Sequence, residues 1–170
     1  NDLPLVSPVI VTAVEEATAE LVASRLAEGE ALAVDLRARL ANLQTLHEEL
    51  EALAETVVTA QRARLHQRVS KALTAAGHEL DPGRLAQEVV MLSDKSDVTE
   101  ELVRLRGHLH AARTTLETQR PGKRLGFLAQ EILREFNTIG SKSGALEITE
   151  RVVSAKVEIE KVREQVLNLA

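Results

Sequence analysis

A leucine seam constrains the fold of this chain more than any other feature. Between residues 9 and 76 there is no Pro and only one Gly, Gly29. Apolar side chains recur within this stretch at a mean step close to 3.5 residues, the spacing of a coiled-coil seam. They are Leu32, Leu36, Leu40, Leu43, Leu46, Leu50, Leu53 and Val57. The seam predicts one long helix that cannot bury its apolar stripe alone. A second helix, of the same chain or of another copy, has to cover it.

The remaining segments predict shorter helices and no strand. Residues 1–8 contain two Pro and indicate an extended lead-in. Gly, Asp and Pro at 77–83 mark a helix boundary, and Gly140 and Gly144 frame a predicted loop. Asp97 and Glu100 have the spacing of a capping box. The helices are predicted at about 84–92, 98–118, 123–138 and 145–169.

These segments predict an all-α fold, a long coiled-coil-like helical arm followed by a bundle of shorter helices. We divide the chain into the arm, residues 1–78, and a C-terminal helical domain, residues 79–170. The chain starts without Met in a Pro-containing segment, which indicates a piece of a longer protein.

Composition excludes several classes of site. There is no Cys, so disulfides, thiolate metal sites and a Cys nucleophile are ruled out, and a reducing cytoplasmic location is compatible. No apolar run approaches the roughly 18 to 20 residues of a membrane span, so no membrane partner is expected. Residues 1–80 carry 7 Lys/Arg and 12 Asp/Glu, whereas residues 81–170 carry 14 of each, so the whole chain is not a generic polyanion binder.

Two polar ridges on predicted helices are the candidate sites. Glu101, Arg104 and His108 are spaced by three and four residues, so they share one helix face. A second ridge follows on the 123–138 helix, with Asn137 beside it. Its members are Glu131, Arg134, Glu135 and Thr138. Arg stabilises developing phosphate charge, His or Glu can move protons, and carboxylates with imidazole can hold a divalent cation.

Each of these features also has an ordinary structural interpretation. Helices carry ion pairs at this spacing for solubility and small stabilisation. Lys142, in the predicted loop, could contact phosphate or simply belong to a helix connection. The four other His have no partner spacing, and we expect them at the surface. They are His47, His66, His78 and His110.

At these ridges the sequence resembles the YicC/YloC-like endoribonucleases of bacteria. The resemblance lies in "ELDPGRLAQEV" (79–89), "SDVTEELVRLRGHL" (96–109), "GKRLGFLAQEILREFNTIGSKSG" (122–144) and "EIEKVREQVLN" (158–168). Upstream, "SRLAEGEALAVDL" (24–36) and "RARLHQRV" (62–69) are also similar to family segments. The similarity covers essentially the whole chain but only the C-terminal part of the family protein.

The resemblance implies a cytoplasmic endoribonuclease that needs a divalent cation, Mn²⁺ or Mg²⁺, and works as a homo-oligomer, a hexamer in the family. The family pattern is carried here by Glu88, Asp97, Glu101, Arg104, His108, Gln130, Glu131, Arg134, Glu135, Asn137, Thr138, Ser141 and Lys142.

From their chemistry we assign roles to these residues. Glu101, Glu131 and Glu135 would hold the metal or act as bases, and His108 would be a general acid/base or a metal ligand. Arg104 and Arg134 would grip the scissile phosphate. The RNA path would be lined by Arg120, Lys123, Arg124, Gln130, Asn137, Ser141 and Lys142. Base stacking is limited to Phe127 and Phe136, because the chain has no Tyr or Trp.

Two other functions stay open. The leucine seam favours a helical oligomerisation or scaffold module with no chemistry of its own, and this is compatible with a catalytic role in a longer protein. A DNA-binding coiled coil is disfavoured because no continuous basic helix precedes the seam, so no DNA partner is predicted.

Overall fold

The structure is a computed structural model that describes residues 3–75, 83, 87, 90–91, 96–118 and 120–169. Four helices are described in full. They are α1, Leu3–Ala75; α2, Thr99–Leu116; α3, Gly122–Lys142; and α4, Leu146–Val166. The described residues contain no strand, so the predicted all-α fold with its long first helix is confirmed. Most of the short helix predicted at 84–92 lies outside the described residues, although Gln87, Val90 and Met91 are helical.

The four helices pack as an antiparallel bundle. Along α1 and α2, residue numbers rise on one helix as they fall on the other, as the contacts Arg37–Glu117 and His47–Leu102 show. α4 is antiparallel to α1 in the same way, and α3 is antiparallel to α2. Each helix contacts the next, and α4 closes the ring onto α1. This is the up-down-up-down arrangement of four-helix bundles.

The leucine seam is covered by helices of its own chain. The second half of α1 packs against α2 and α4, so the same-chain alternative is the correct one here. The buried positions follow a strict alternation of four and three residues. They are Leu36, Leu40, Leu43, His47 and Leu50, continued by the partly buried Ala54 and Val57. The predicted seam residues Leu46 and Leu53 flank this row and are only partly buried.

A single core joins the second half of α1 to the three C-terminal helices. Leu36 to Leu50 belong to the same buried cluster as Leu105, Phe136 and Ile159. The core therefore continues across the predicted division at residue 78. The division itself falls among residues outside the described ranges and stays a prediction.

The first part of α1 extends beyond the bundle. The predicted extended lead-in at 1–8 is wrong for the described residues, because α1 begins at Leu3 and contains Pro8. Pro8 lacks the N–H that would bond to the Pro4 carbonyl, but the loss of one hydrogen bond does not end a helix of 73 residues. Up to about residue 31 the described side chains of α1 are exposed. None of the helices in the described ranges has both the length and the apolar character of a membrane span.

The end of α3 differs from the predicted loop at 140–144. Gly140, Ser141 and Lys142 form the last helical turn, and the connection to α4 is only residues 143–145. A Cβ at Gly140 would lie 3.1 Å from Cγ1 of Val152, so this Gly permits close packing of α3 on α4. The loop prediction was wrong because it assigned Gly140 to a flexible backbone, whereas this Gly is helical and allows close packing.

Candidate nucleic-acid interface

Four charged side chains meet where α2 packs against α3, and we call them the inner cluster. They are Glu101 and Arg104 of α2, and Glu135 and Lys142 of α3. Arg104 donates from Nε to Oε1 of Glu135 at 3.0 Å and from Nη2 to Oε1 of Glu101 at 3.2 Å. Nζ of Lys142 lies 3.0 Å from the same oxygen of Glu101. Of the second predicted ridge, Glu135 therefore faces the first ridge and is joined to it by an ion pair, whereas Glu131 and Arg134 pair with each other on α3.

The carboxylates of the inner cluster are buried, whereas its cations reach the surface. Glu101 is 3% exposed and Glu135 is 4% exposed. The side chains of Arg104 and Lys142 are 40% and 32% exposed. The hydrogen bond to Glu135 raises the pKa of Arg104, and the charges of Glu100 and Glu101 act in the same direction. The guanidinium consequently stays charged, and each of its three nitrogens donates to a carboxylate, of Glu135, Glu100 or Glu101.

Each buried carboxylate keeps one oxygen without a hydrogen bond. These atoms are Oε2 of Glu101 and Oε2 of Glu135. A buried carboxylate oxygen without a partner is costly and calls for an explanation. A cation could satisfy these oxygens, because hard divalent cations take carboxylate oxygens as ligands.

Local structure holds the inner cluster in place. Asp97 accepts hydrogen bonds from the backbone amide and the hydroxyl of Thr99, at 2.8 and 2.6 Å, and so fixes the start of α2. The predicted capping box of Asp97 and Glu100 is wrong, because Val98 occupies the N-cap position without a side-chain hydrogen bond and Glu100 pairs with Arg104. Lys142 also donates to the backbone carbonyl of Asp97 at 3.0 Å, which ties the end of α3 to the start of α2.

A shallow groove runs along the exposed side of α3, outside the inner cluster. It has a volume of about 440 Å³. Arg134 is exposed there and pairs with Glu131 of its own helix at 3.8 Å. The groove is lined by Gln130, Leu133, Arg134, Asn137, Thr138 and Ser141. Four of the predicted RNA-contacting or catalytic residues therefore share one surface, but they do not join the buried carboxylates.

The other predicted cations lie at the opposite end of α3. Arg120 and Lys123 line a cavity of about 810 Å³, whose remaining walls are mainly apolar residues at the end of α4. Arg124 is exposed next to them. Lys123 and Lys142 are separated by about 28 Å along the helix axis at 1.5 Å per residue. The predicted RNA-binding cations thus form two groups on α3 and not one patch.

The predicted metal ligands Glu101, His108 and Glu131 are not gathered into one group. Among the described residues, no three His, Asp or Glu side chains are close enough together to hold a metal ion. Glu101 and His108 are two helical turns apart, about 10 Å along α2. Glu131 points to Arg134, and the α3 carboxylate that meets α2 is Glu135. Glu88 lies outside the described residues.

The burial of His47 and the exposure of Phe127 were not predicted from the sequence. His47 is fully buried, so its predicted surface position is wrong, while His66 and His110 are exposed as predicted. Nε2 of His47 lies 2.9 Å from the Leu102 carbonyl oxygen and donates a hydrogen bond to it. The alternation of four and three residues across Leu43, His47 and Leu50 could have revealed that His47 is buried.

Phe127 is 60% exposed, in contrast to the buried Phe136, which cannot stack on a base.

Comparison with known proteins supplies independent information on this surface. Residues 50–170 match the family described as "Endoribonuclease YicC-like, C-terminal". This range includes every residue of the inner cluster and of the groove.

Two curated proteins, each named "Probable endoribonuclease YicC", are similar to the chain. The one from Clostridioides difficile (strain 630) is 42% identical over 158 residues, which cover 92% of this chain and 54% of that protein. The one from Haemophilus influenzae (strain ATCC 51907 / DSM 11121 / KW20 / Rd) is 36% identical over 170 residues, which cover 99% of this chain and 58% of that protein. The chain therefore spans little more than half the length of these relatives.

Proposed function

Since this chain belongs to the YicC-like endoribonuclease family, we propose that it forms the C-terminal helical part of an enzyme that cleaves phosphodiester bonds in RNA. The inner cluster supports this proposal most directly. It combines two cations that reach the surface with two buried carboxylates that hold them in place. An RNA phosphate would bind to the exposed edges of Arg104 and Lys142. Arg104 would then stabilise the negative charge that develops on the phosphate during cleavage.

His108 supplies the proton transfer in this proposal. It lies on α2 one helical turn after Arg104, and it is half-buried. An imidazole at this position can move a proton at an RNA oxygen next to the phosphate that Arg104 holds. Glu101 and Glu135 position Arg104, and they are also the carboxylates that could accept a proton within the cluster.

A divalent cation, Mn²⁺ or Mg²⁺, is part of the proposal. The two Oε2 atoms without partners, on Glu101 and Glu135, are the oxygens that fit it. Mg²⁺ usually takes one or two protein carboxylates and completes its shell with water and phosphate oxygens, so two ligands from the chain are sufficient. When bound, the cation would neutralise phosphate charge.

RNA would extend from the inner cluster along the exposed side of α3. Arg134, Gln130, Asn137 and Ser141 line the groove there and offer one cation and three hydrogen-bonding groups. Lys123 and Arg124 lie farther along the same helix, and Arg120 lies just before its start. These three cations would contact the backbone of a longer RNA. Contacts of this kind depend on charge, so we expect binding to weaken as salt rises.

A matched pair of His variants tests the proposed activity. His108→Ala removes the proposed proton carrier, whereas His110→Ala removes an exposed imidazole from the same helix. With Mn²⁺ or Mg²⁺ and a structured RNA, we expect His108→Ala to lower the cleavage rate about 100-fold or more, the usual contribution of general acid–base catalysis. His110→Ala should cleave at the wild-type rate. Both variants are made in the full-length protein. Equal rates for the two would remove His108 from the mechanism, and no cleavage by the unmodified full-length protein in either metal would refute the activity.

A helical scaffold is the second candidate function, and the first part of α1 favours it. This segment exposes a series of large apolar side chains, which monomeric proteins seldom leave in water at such density. They are Val9, Ile10, Val11, Val14, Leu21, Val22 and Leu26. We propose that the segment helps assemble a ring-like homo-oligomer, a hexamer, located in the cytoplasm. A native mass of six chains supports this, and a monomer at micromolar concentration contradicts it.

A further inference from the structure

The outer face of α3 carries a regular row of exposed side chains. Its positions are separated by four, three, four, three and four residues, so the row runs straight along the helix. Every member is exposed to solvent. The row consists of Lys123, Phe127, Gln130, Arg134, Asn137 and Ser141.

Phe127 is the anomalous member of this row. It is 60% exposed, and all the other members are polar or cationic. The chain has only two Phe and no Tyr or Trp, and Phe136 is fully buried. Phe127 is therefore the one Phe, Tyr or Trp ring of the chain that the structure exposes to solvent.

The charges around Phe127 favour a polyanion. Lys123 lies one helical turn before it, Arg124 lies beside Lys123, and Arg134 lies two turns after it. Glu131 is the only acidic residue near this face in the described part of α3 other than the buried Glu135, and it pairs with Arg134. The face thus has an excess of positive charge with an aromatic ring at its centre.

We propose that the outer face of α3 binds unpaired RNA, with Phe127 as the platform on which one base stacks. This inference rests on the proposed function and narrows its substrate to RNA with single-stranded nucleotides. Lys123 and Arg134 contact phosphates on either side of the stacked base, and they are about 16 Å apart along the helix axis at 1.5 Å per residue. Unpaired bases can splay out onto an aromatic ring, whereas the bases of a duplex are already stacked on each other.

The substitution Phe127→Trp makes this proposal directly measurable. The chain contains no Trp and no Tyr, so the new indole is the only strong fluorophore. A base that stacks on the indole should quench its emission. Val153→Trp provides the matched control, because Val153 is a similarly exposed apolar residue, at 56%, on α4. Both sites are exposed, so both variants should fold.

The experiment uses the 170-residue chain in a metal-free buffer, so that cleavage does not occur. The probes are an unstructured 15-nucleotide RNA, the same RNA annealed to its complement, and heparin. We expect saturable quenching of Phe127→Trp by the single strand only, and no quenching of Val153→Trp. In parallel, the fluorescence anisotropy of the labelled single strand should show that Phe127→Leu weakens binding about 5- to 150-fold, the range reported for loss of one base–aromatic stack.

Three outcomes would overturn the proposal. If the single strand binds by anisotropy but does not quench Phe127→Trp, the stacking platform is refuted and the proposed function survives. If neither RNA binds any variant, both the stacking platform and the proposed function are refuted. If Phe127→Trp emission shifts to the blue with protein concentration alone, and the native mass increases in step, a second copy covers this ring and the RNA assignment is wrong.

Discussion

The two sides of α3 carry similar residue types but use them in opposite ways. On the inner side, Glu135 and Lys142 pair with Arg104 and Glu101 of α2 across the helix interface. On the outer face, Arg134 pairs with Glu131 of its own helix, and its side chain is 74% exposed. Charged groups on the inner side depend on each other because burial raises the cost of leaving any of them alone. Those on the outer face are solvated and remain available to a ligand.

This difference separates stability from binding within one helix. Substitutions on the inner side should change the free energy of unfolding, and any effect on RNA cleavage has to be measured on folded protein. Substitutions on the outer face should leave stability unchanged and alter RNA affinity. The predictions below test this separation, beginning with the largest expected effect.

Replacement of Arg104 by Met should produce the largest loss of stability. The variant leaves the buried carboxylates Glu101 and Glu135 without their shared cation, so we expect a loss of stability clearly larger than that from an exposed ion pair. Arg134→Met is the matched control on the outer face, and we expect it to change stability by about 0.5 kcal/mol or less. Urea unfolding followed by circular dichroism measures both. Similar losses for the two variants would show that burial does not separate the two sides of α3.

The sequence predicted the positions of charged groups along each helix but not their partners across helices. Glu101 and Arg104 share a helix face because they are three residues apart, so their pairing could be predicted from the sequence. The contact between Arg104 and Glu135 joins residues 31 positions apart. It depends on the register and rotation of α3 against α2, which the packing of the whole core determines. The burial of Phe136, in contrast, follows from spacing, because it lies four residues after Ile132 and three before Ile139 on the buried stripe of α3, and Phe127 does not lie on that stripe.

Two errors of prediction have a common physical origin. The prediction places His47 at the surface because it has no partner at helical spacing, and Gly140 in a loop because Gly frees the backbone to bend. In both cases the position within the bundle decides the outcome. His47 occupies a seam position and satisfies one ring nitrogen through the Leu102 carbonyl. Gly140 faces Val152 of α4. Heptad position is therefore a better guide to burial in this chain than the polarity of the single residue.

A pair of Gly substitutions compares the packed side of α3 with the exposed side of α2. Gly140→Ala places a methyl group 3.1 Å from Cγ1 of Val152, and Val152 is buried and has a stiff β-branched side chain. The strain should exceed the gain in helix propensity, and we expect a net loss of about 1 kcal/mol. Gly107→Ala, on the exposed side of α2, meets nothing within 4 Å and should stabilise by about 0.5–1 kcal/mol. Thermal unfolding of the two variants should give shifts of opposite sign. Shifts of the same sign would mean that α3 and α4 are not closely packed at Gly140.

The smallest expected effect concerns Glu158 on α4, which pairs with Arg39 and Lys161. Its exposure is intermediate between that of the inner carboxylates and that of Arg134 on α3. Hydrogen bonding to Lys161 lowers the pKa of Glu158, and the charges of Lys161 and Arg39 lower it further, although burial opposes them. A carboxyl with a lowered pKa in the folded state adds stability above its unfolded pKa, about 4.3, and loses that contribution as the pH falls through the folded value. Glu158→Gln should therefore destabilise by less than about 1 kcal/mol at pH 7, because the pair is partly solvated. The difference from the unmodified chain should shrink as the pH falls below the unfolded pKa and through the lowered folded one, as urea unfolding at a series of pH values can measure. A difference that stays constant from pH 7 to pH 3 would assign the effect to packing of the side chain and not to its charge.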